Sequence, residues 1–153
     1  MTSKHTGKRY NQLHVYLSEN TPKFLAEFAD HAISCLGIDR LRGDIEVFYR
    51  RRLEEESYGL CWGDRREAEI HLAHTQWGET LSKEERMKSL AHELTHAWQY
   101  LTGKLVADPD RFVAKWEGTT IEYTPENEKY MPWEVEAERM EEEIFKQWTE
   151  RGS

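Results

Sequence analysis

Leu90-Ala91-His92-Glu93-Leu94-Thr95-His96-Ala97-Trp98-Gln99 is the stretch from which the rest of the chain is read. It contains the pattern H-E-x-x-H. On a helix, residues four apart lie one above the other on the same face, so His92 and His96 can aim two imidazole nitrogens at one point. Zinc takes neutral imidazole at roughly 2 Å, and a catalytic zinc keeps one position open for water. Glu93, beside the first histidine, is placed to act as general base toward that water.

The flanking residues predict a helix. Ser82 with Glu85 three residues later reads as a capping box. Apolar residues recur at Met87, Leu90, Ala91, Leu94, Trp98 and Leu101, and Gly103 supplies a stop. At about 100° per residue, Ser89, His92, His96 and Gln99 fall opposite that stripe. The helix thus has one face for the core and another for chemistry.

Composition narrows the function classes. The 153 residues carry 33% charged side chains and a net charge of −8, a poor match to nucleic-acid phosphate. No apolar run reaches the roughly 18 residues of a membrane span. Met1-Thr2-Ser3-Lys4-His5 lacks the apolar segment of a signal peptide, so a cytoplasmic location is expected, with Cys35 and Cys61 as reduced, buried thiols.

Working outward, residues 1–12 are polar and are expected to be loosely ordered, with 150–153 frayed, in one domain spanning 1–153. Thr21-Pro22 starts a helix with an apolar stripe from Phe24 to Leu36, ended by Gly37. Strand-like segments follow at 44–49, 57–62 and 68–75, with a hairpin across Gly63-Asp64. Arg50-Arg51-Arg52 followed by Glu54-Glu55-Glu56 reads as a solvated hairpin tip. His71 and His74, three apart on a strand, point to opposite faces and cannot ligate as a pair. Residues 111–130 resist assignment beyond a turn at Trp116-Glu117-Gly118. Pro132 opens a last helix over 132–149, with Trp133, Ala137, Met140, Ile144 and Trp148 as its apolar stripe and Glu141, Glu142 and Glu143 on solvated surface. The fold class predicted is α+β: a small, mostly antiparallel sheet packed on a leading helix, the H-E-x-x-H helix and a C-terminal glutamate helix.

A catalytic zinc needs a third protein ligand. The extended pattern H-E-x-x-H-x-x-G-x-x-H requires glycine at position 99 and histidine at position 102, where this chain has Gln99 and Thr102. Asp108 and Asp110 are candidates on a turn just past the helix. Glu134 is better placed, in the first turn of a helix where the macrodipole favours an anion. Glu138, four residues on, is a candidate to orient a ligand imidazole.

Pro132-Trp133-Glu134-Val135-Glu136-Ala137-Glu138 resembles the E-x-x-A-D third-ligand motif of gluzincin metallopeptidases. The order of elements over residues 22–148 is similar to that of minimal zincins, the SprT-like proteins and small phage- or bacterium-encoded relatives among them. The resemblance implies His92, His96 and Glu134 as zinc ligands, Glu93 as base, and Glu138 in place of the usual aspartate. It also implies that strand 69–75 is the edge strand that pairs with an extended peptide. Such enzymes hold the oxyanion with a histidine or tyrosine. No position here matches a motif for it, and Tyr100, Tyr123, Tyr130 and His74 all remain candidates. The expected function is zinc-dependent hydrolysis of peptide bonds, with a protein or peptide partner. The rival is a zinc-binding interaction domain without proteolytic activity, which a fourth coordination position filled by His71 or His74 would favour. A DNA-directed repair protease would need a basic patch that this chain lacks.

Overall fold

The computed structural model describes residues 5–108 and 110–151. The chain opens with an antiparallel pair, β1 (His5–Tyr10) and β2 (Leu13–Ser18), joined at Asn11, whose φ of 55° closes the turn. This corrects the expectation of a loose start for residues 5–12; residues 1–4 lie outside the described residues. The reason is burial from one side. Leu13 and Val15 alternate inward and are almost wholly buried, while His14 and Tyr16 stay half-exposed.

Helix α1 (Lys23–Leu36) follows, capped by Gly37 in the left-handed region, and leads to β3 (Gly43–Arg50). Next come β4 (Gly59–Gly63) and β5 (Glu67–Ala73), then a two-residue pair, β6 (Thr75–Gln76) and β7 (Glu79–Thr80). The five-stranded sheet runs β1-β2-β3-β5-β4. Its inner pairs, β2 with β3 and β3 with β5, are parallel; its outer pairs are antiparallel. The α+β class is as predicted, and so is the β4–β5 hairpin, whose loop exceeds two residues.

Two expectations about this sheet change. Strand 69–75 is not the edge: β5 is flanked on both sides, and its Ala68, Ile70 and Leu72 are buried. The edge is β4. For the same reason Arg50 to Glu56 is no hairpin tip, because β5 separates β3 from β4. That segment is a crossing loop, in which Arg52 pairs with Glu56 at 3.1 Å and Glu56 accepts the Trp77 N–H at 2.9 Å.

The main core forms where Leu13, Val15, Ile45, Val47, Ile70 and Leu72 of the sheet meet Leu25, Phe28 and Ile33 of α1 and Leu90, Leu94 and Ala97 of α2 (Lys83–Thr102). Helix α2 begins with the predicted reciprocal cap. The Ser82 hydroxyl accepts the Glu85 N–H at 3.0 Å, and the Glu85 carboxylate accepts the Ser82 N–H at 3.1 Å. Gly103 ends it at φ 78°.

The stretch that resisted assignment is a three-stranded antiparallel sheet, β8 (Leu105–Asp108), β9 (Val113–Trp116) and β10 (Thr119–Glu122). Its tight turn puts Glu117 and Gly118 both at positive φ, as predicted for a turn there. A second, smaller core joins Leu105, Ala114 and Tyr123 to Tyr100 of α2 and Trp133 of α3 (Pro132–Glu150). It fixes the entry of α3, which packs its Ala137 and Ile144 inward. Cys35 and Cys61 are free thiols, each half-buried rather than buried as expected.

Candidate metal centre

Helices α2 and α3 run antiparallel and are laced together along one seam. Lys88 pairs with Glu142 at 3.1 Å at one end, and Lys104 with Glu136 at 2.6 Å at the other. Between these lie the two histidines. His96 Nε2 lies 2.6 Å from Glu134 Oε1, and His92 Nε2 lies 3.2 Å from Glu134 Oε2. One ligand atom from each of His92, His96 and Glu134 falls within 4.8 Å of the others, so the trio could hold a metal ion. Two imidazole nitrogens and a carboxylate are the donor set of catalytic zinc sites.

The outer nitrogens decide which atoms are offered. His96 Nδ1 is 2.8 Å from the side-chain oxygen of Gln99. The Gln99 amide nitrogen donates to the Trp133 carbonyl and to Glu136, each at 3.0 Å. Its oxygen must therefore face His96, so Nδ1 carries a proton and Nε2 is the nitrogen left to face a metal. His92 Nδ1 donates likewise to Glu141 at 2.8 Å. Both rings thus turn Nε2 toward Glu134, and both are held in that orientation.

Burial and charge act together here. Burial alone would lower the His92 pKa, but hydrogen bonds to Glu134 and Glu141 prevail and push it up to about 10. His96 is raised in the same way, through Glu134. Burial would raise the Glu134 carboxyl, yet its two histidine partners hold it well below the usual range. Such mutual stabilisation of cation and anion is what a metal ion would replace.

Glu93 is only 7% exposed and its carboxyl is raised by burial. It rests on the backbone of the edge strand. A Cβ at Gly59 would stand 2.9 Å from Glu93 Cγ and 3.0 Å from its Oε2. Depressions of about 530 and 460 Å³ meet at Gly59, His92 and Glu93. They form one cleft running past the trio beside β4.

The oxyanion candidates narrow. Tyr100 and Tyr123 line the cleft with the trio, and burial raises both phenols. Tyr130 is largely exposed elsewhere, and His74 is bound to the Tyr49 hydroxyl. His71 is stacked between Phe48 and Trp62 and pairs with Glu69 at 2.8 Å. Neither histidine joins the trio. Asp108 and Asp110 are exposed and do not join it either.

Glu138 does not orient a ligand; it faces solvent beside Val135 and Arg139. Glu141, read as solvated surface, takes that part. From Glu134, seven residues bring the helix back to within about 20° of the same direction, against about 40° for four. Seven residues also advance two turns, toward His92 on the antiparallel α2. That spacing was the available signal. Gln99 was placed on the chemical face without a role, and Gly59 carried no signal at all. No known protein family matches this chain, and neither does any curated protein or solved structure.

Proposed function

We propose that this chain is a zinc-dependent peptidase of the minimal zincin kind, hydrolysing a peptide laid along β4. The observation that carries the reading is the convergence of two Nε2 atoms and one carboxylate beside a buried glutamate, midway along an open cleft. Zinc, when bound to His92, His96 and Glu134, supplies a Lewis acid that acidifies water and polarises a carbonyl.

The chain's own groups do the rest. Strand β4 bonds to β5 through Tyr58, Leu60, Trp62 and Asp64, as the Ala73 N–H to Tyr58 and Asp64 N–H to Glu67 bonds set the alternation. The N–H and C=O groups of Gly59, Cys61 and Gly63 therefore point to the outer edge, where an extended peptide can pair with them. Glu93, its carboxylate beside this edge, takes the proton of the attacking water and passes it to the leaving amine. Tyr100 or Tyr123, whose phenols burial raises further above their ordinary value, donates a hydrogen bond to the developing oxyanion.

Elemental analysis beside peptide cleavage tests this. Wild type should hold zinc, Glu134→Gln should lose it, and Glu93→Gln should keep it while cleavage falls by about 10²- to 10⁴-fold. Near-normal cleavage by Glu93→Gln would remove the base. Zinc held without any cleavage by wild type would leave a zinc-binding interaction domain.

A further inference from the structure

The trio itself forms part of the wall of a chamber of about 460 Å³, whose other walls include Tyr100, Tyr123, Trp133, Leu105 and Ala107. Tyr123 and Trp133 meet edge to face, their ring centres 5.2 Å apart. Among these rings stands Glu128, on the short turn Glu128–Tyr130 ahead of α3. Among the described residues its carboxylate has no hydrogen-bond or ion-pair partner, and no lysine or arginine lines the chamber. Lys104, over the Trp116 ring, is committed to Glu136 at 2.6 Å and Glu117 at 3.6 Å. A divalent ion in the trio would offset Glu93 and Glu134, leaving Glu128 as the uncompensated charge.

Aromatic walls around a lone, half-buried carboxylate suit a cation. An apolar side chain would satisfy the rings and strand the carboxylate. We infer that this chamber receives a cationic nitrogen of the peptide, an ammonium or guanidinium held between the Tyr123 and Trp133 rings and the Glu128 carboxylate. The inference rests on the peptidase reading of the neighbouring centre. The nitrogen has two sources, a lysine or arginine side chain or a free amino terminus.

The test is binding of short peptides to Glu93→Gln protein, with and without added zinc, so that none turns over. Peptides blocked at both ends carry lysine, arginine, acetyl-lysine or leucine at the residues flanking the central bond; one further leucine peptide keeps its free amino terminus. Calorimetry should give lysine or arginine peptides at least about tenfold tighter binding than acetyl-lysine or leucine. The preference should fall below about threefold on adding Glu128→Gln, at an unchanged melting temperature. The same gain confined to the free terminus assigns the nitrogen to the α-amine. Equal affinities, no binding at millimolar peptide, or a preference that survives Glu128→Gln overturns the inference. Wild type cutting all five peptides alike would do so too while leaving the peptidase standing. Cation-selective binding without cleavage would do the reverse.

Discussion

His92 and His96 carry the same ring one turn apart on the same helix, yet they are braced in different ways. His96 leans on Gln99, a neutral amide with no exposure, itself pinned to the Trp133 carbonyl and to Glu136. His92 leans on Glu141, a charged side chain at the cleft rim. The first brace is geometric: it is buried and leaves its ring no alternative. The second is electrostatic: it sets how basic its ring is, and solvent and salt reach it. The candidate metal site thus has a rigid side and an adjustable side.

Removing the rigid brace should have the largest effect. Gln99→Leu strands the His96 N–H and one Glu136 oxygen and removes the second donor to the Trp133 carbonyl, at about 1–3 kcal/mol for each buried group left unpaired. The melting temperature should drop even in metal-free protein, and zinc affinity should fall by up to about 100-fold. An unchanged melting temperature would mean that Gln99 is not a structural brace. Glu141→Gln should weaken zinc binding less, by about tenfold, with a smaller loss of metal-free stability than Gln99→Leu. If it costs as much as Gln99→Leu, the contrast fails.

Acid sharpens the same contrast. With the His92 pKa at about 10 in the metal-free chain, the ring is protonated at neutral pH, so zinc must displace that proton. Affinity should rise as pH rises toward 10, by roughly tenfold per pH unit for each proton displaced. Calorimetry in two buffers of different ionisation enthalpy counts those protons. Glu141→Gln should lower the count by making His92 less basic, whereas Glu138→Gln, which faces solvent, should change neither count nor affinity.

Legibility in the sequence followed the range of the interactions. Helix α2 was readable because its cap, stripe and stop are local, and Glu134 because it opens a helix whose own stripe is clear. The edge strand was misplaced because β3 pairs in parallel with β5 across the intervening β4, and nothing within 44–73 announces which strand lies outermost. β1 and β2 were passed over although Leu13, Val15 and Leu17 alternate; the charged Lys8 and Arg9 beside them outweighed a pattern that only the sheet's inner face explains. The exchange of Glu138 for Glu141 turns on the antiparallel run of α2 against α3, a relation between helices that neither helix's sequence contains.

Gly59 is where strand and base share the same space. Its backbone sits outside the left-handed region, so the strand itself would accept a side chain there. What a side chain would meet is Glu93. On the peptidase reading, position 59 should then behave in a mutational scan as a pure filter on turnover: variants that fold, melt and bind metal as the parent does, yet do not cleave. Most positions that kill an enzyme do so by unfolding it or by removing a reacting group, and this one would do neither.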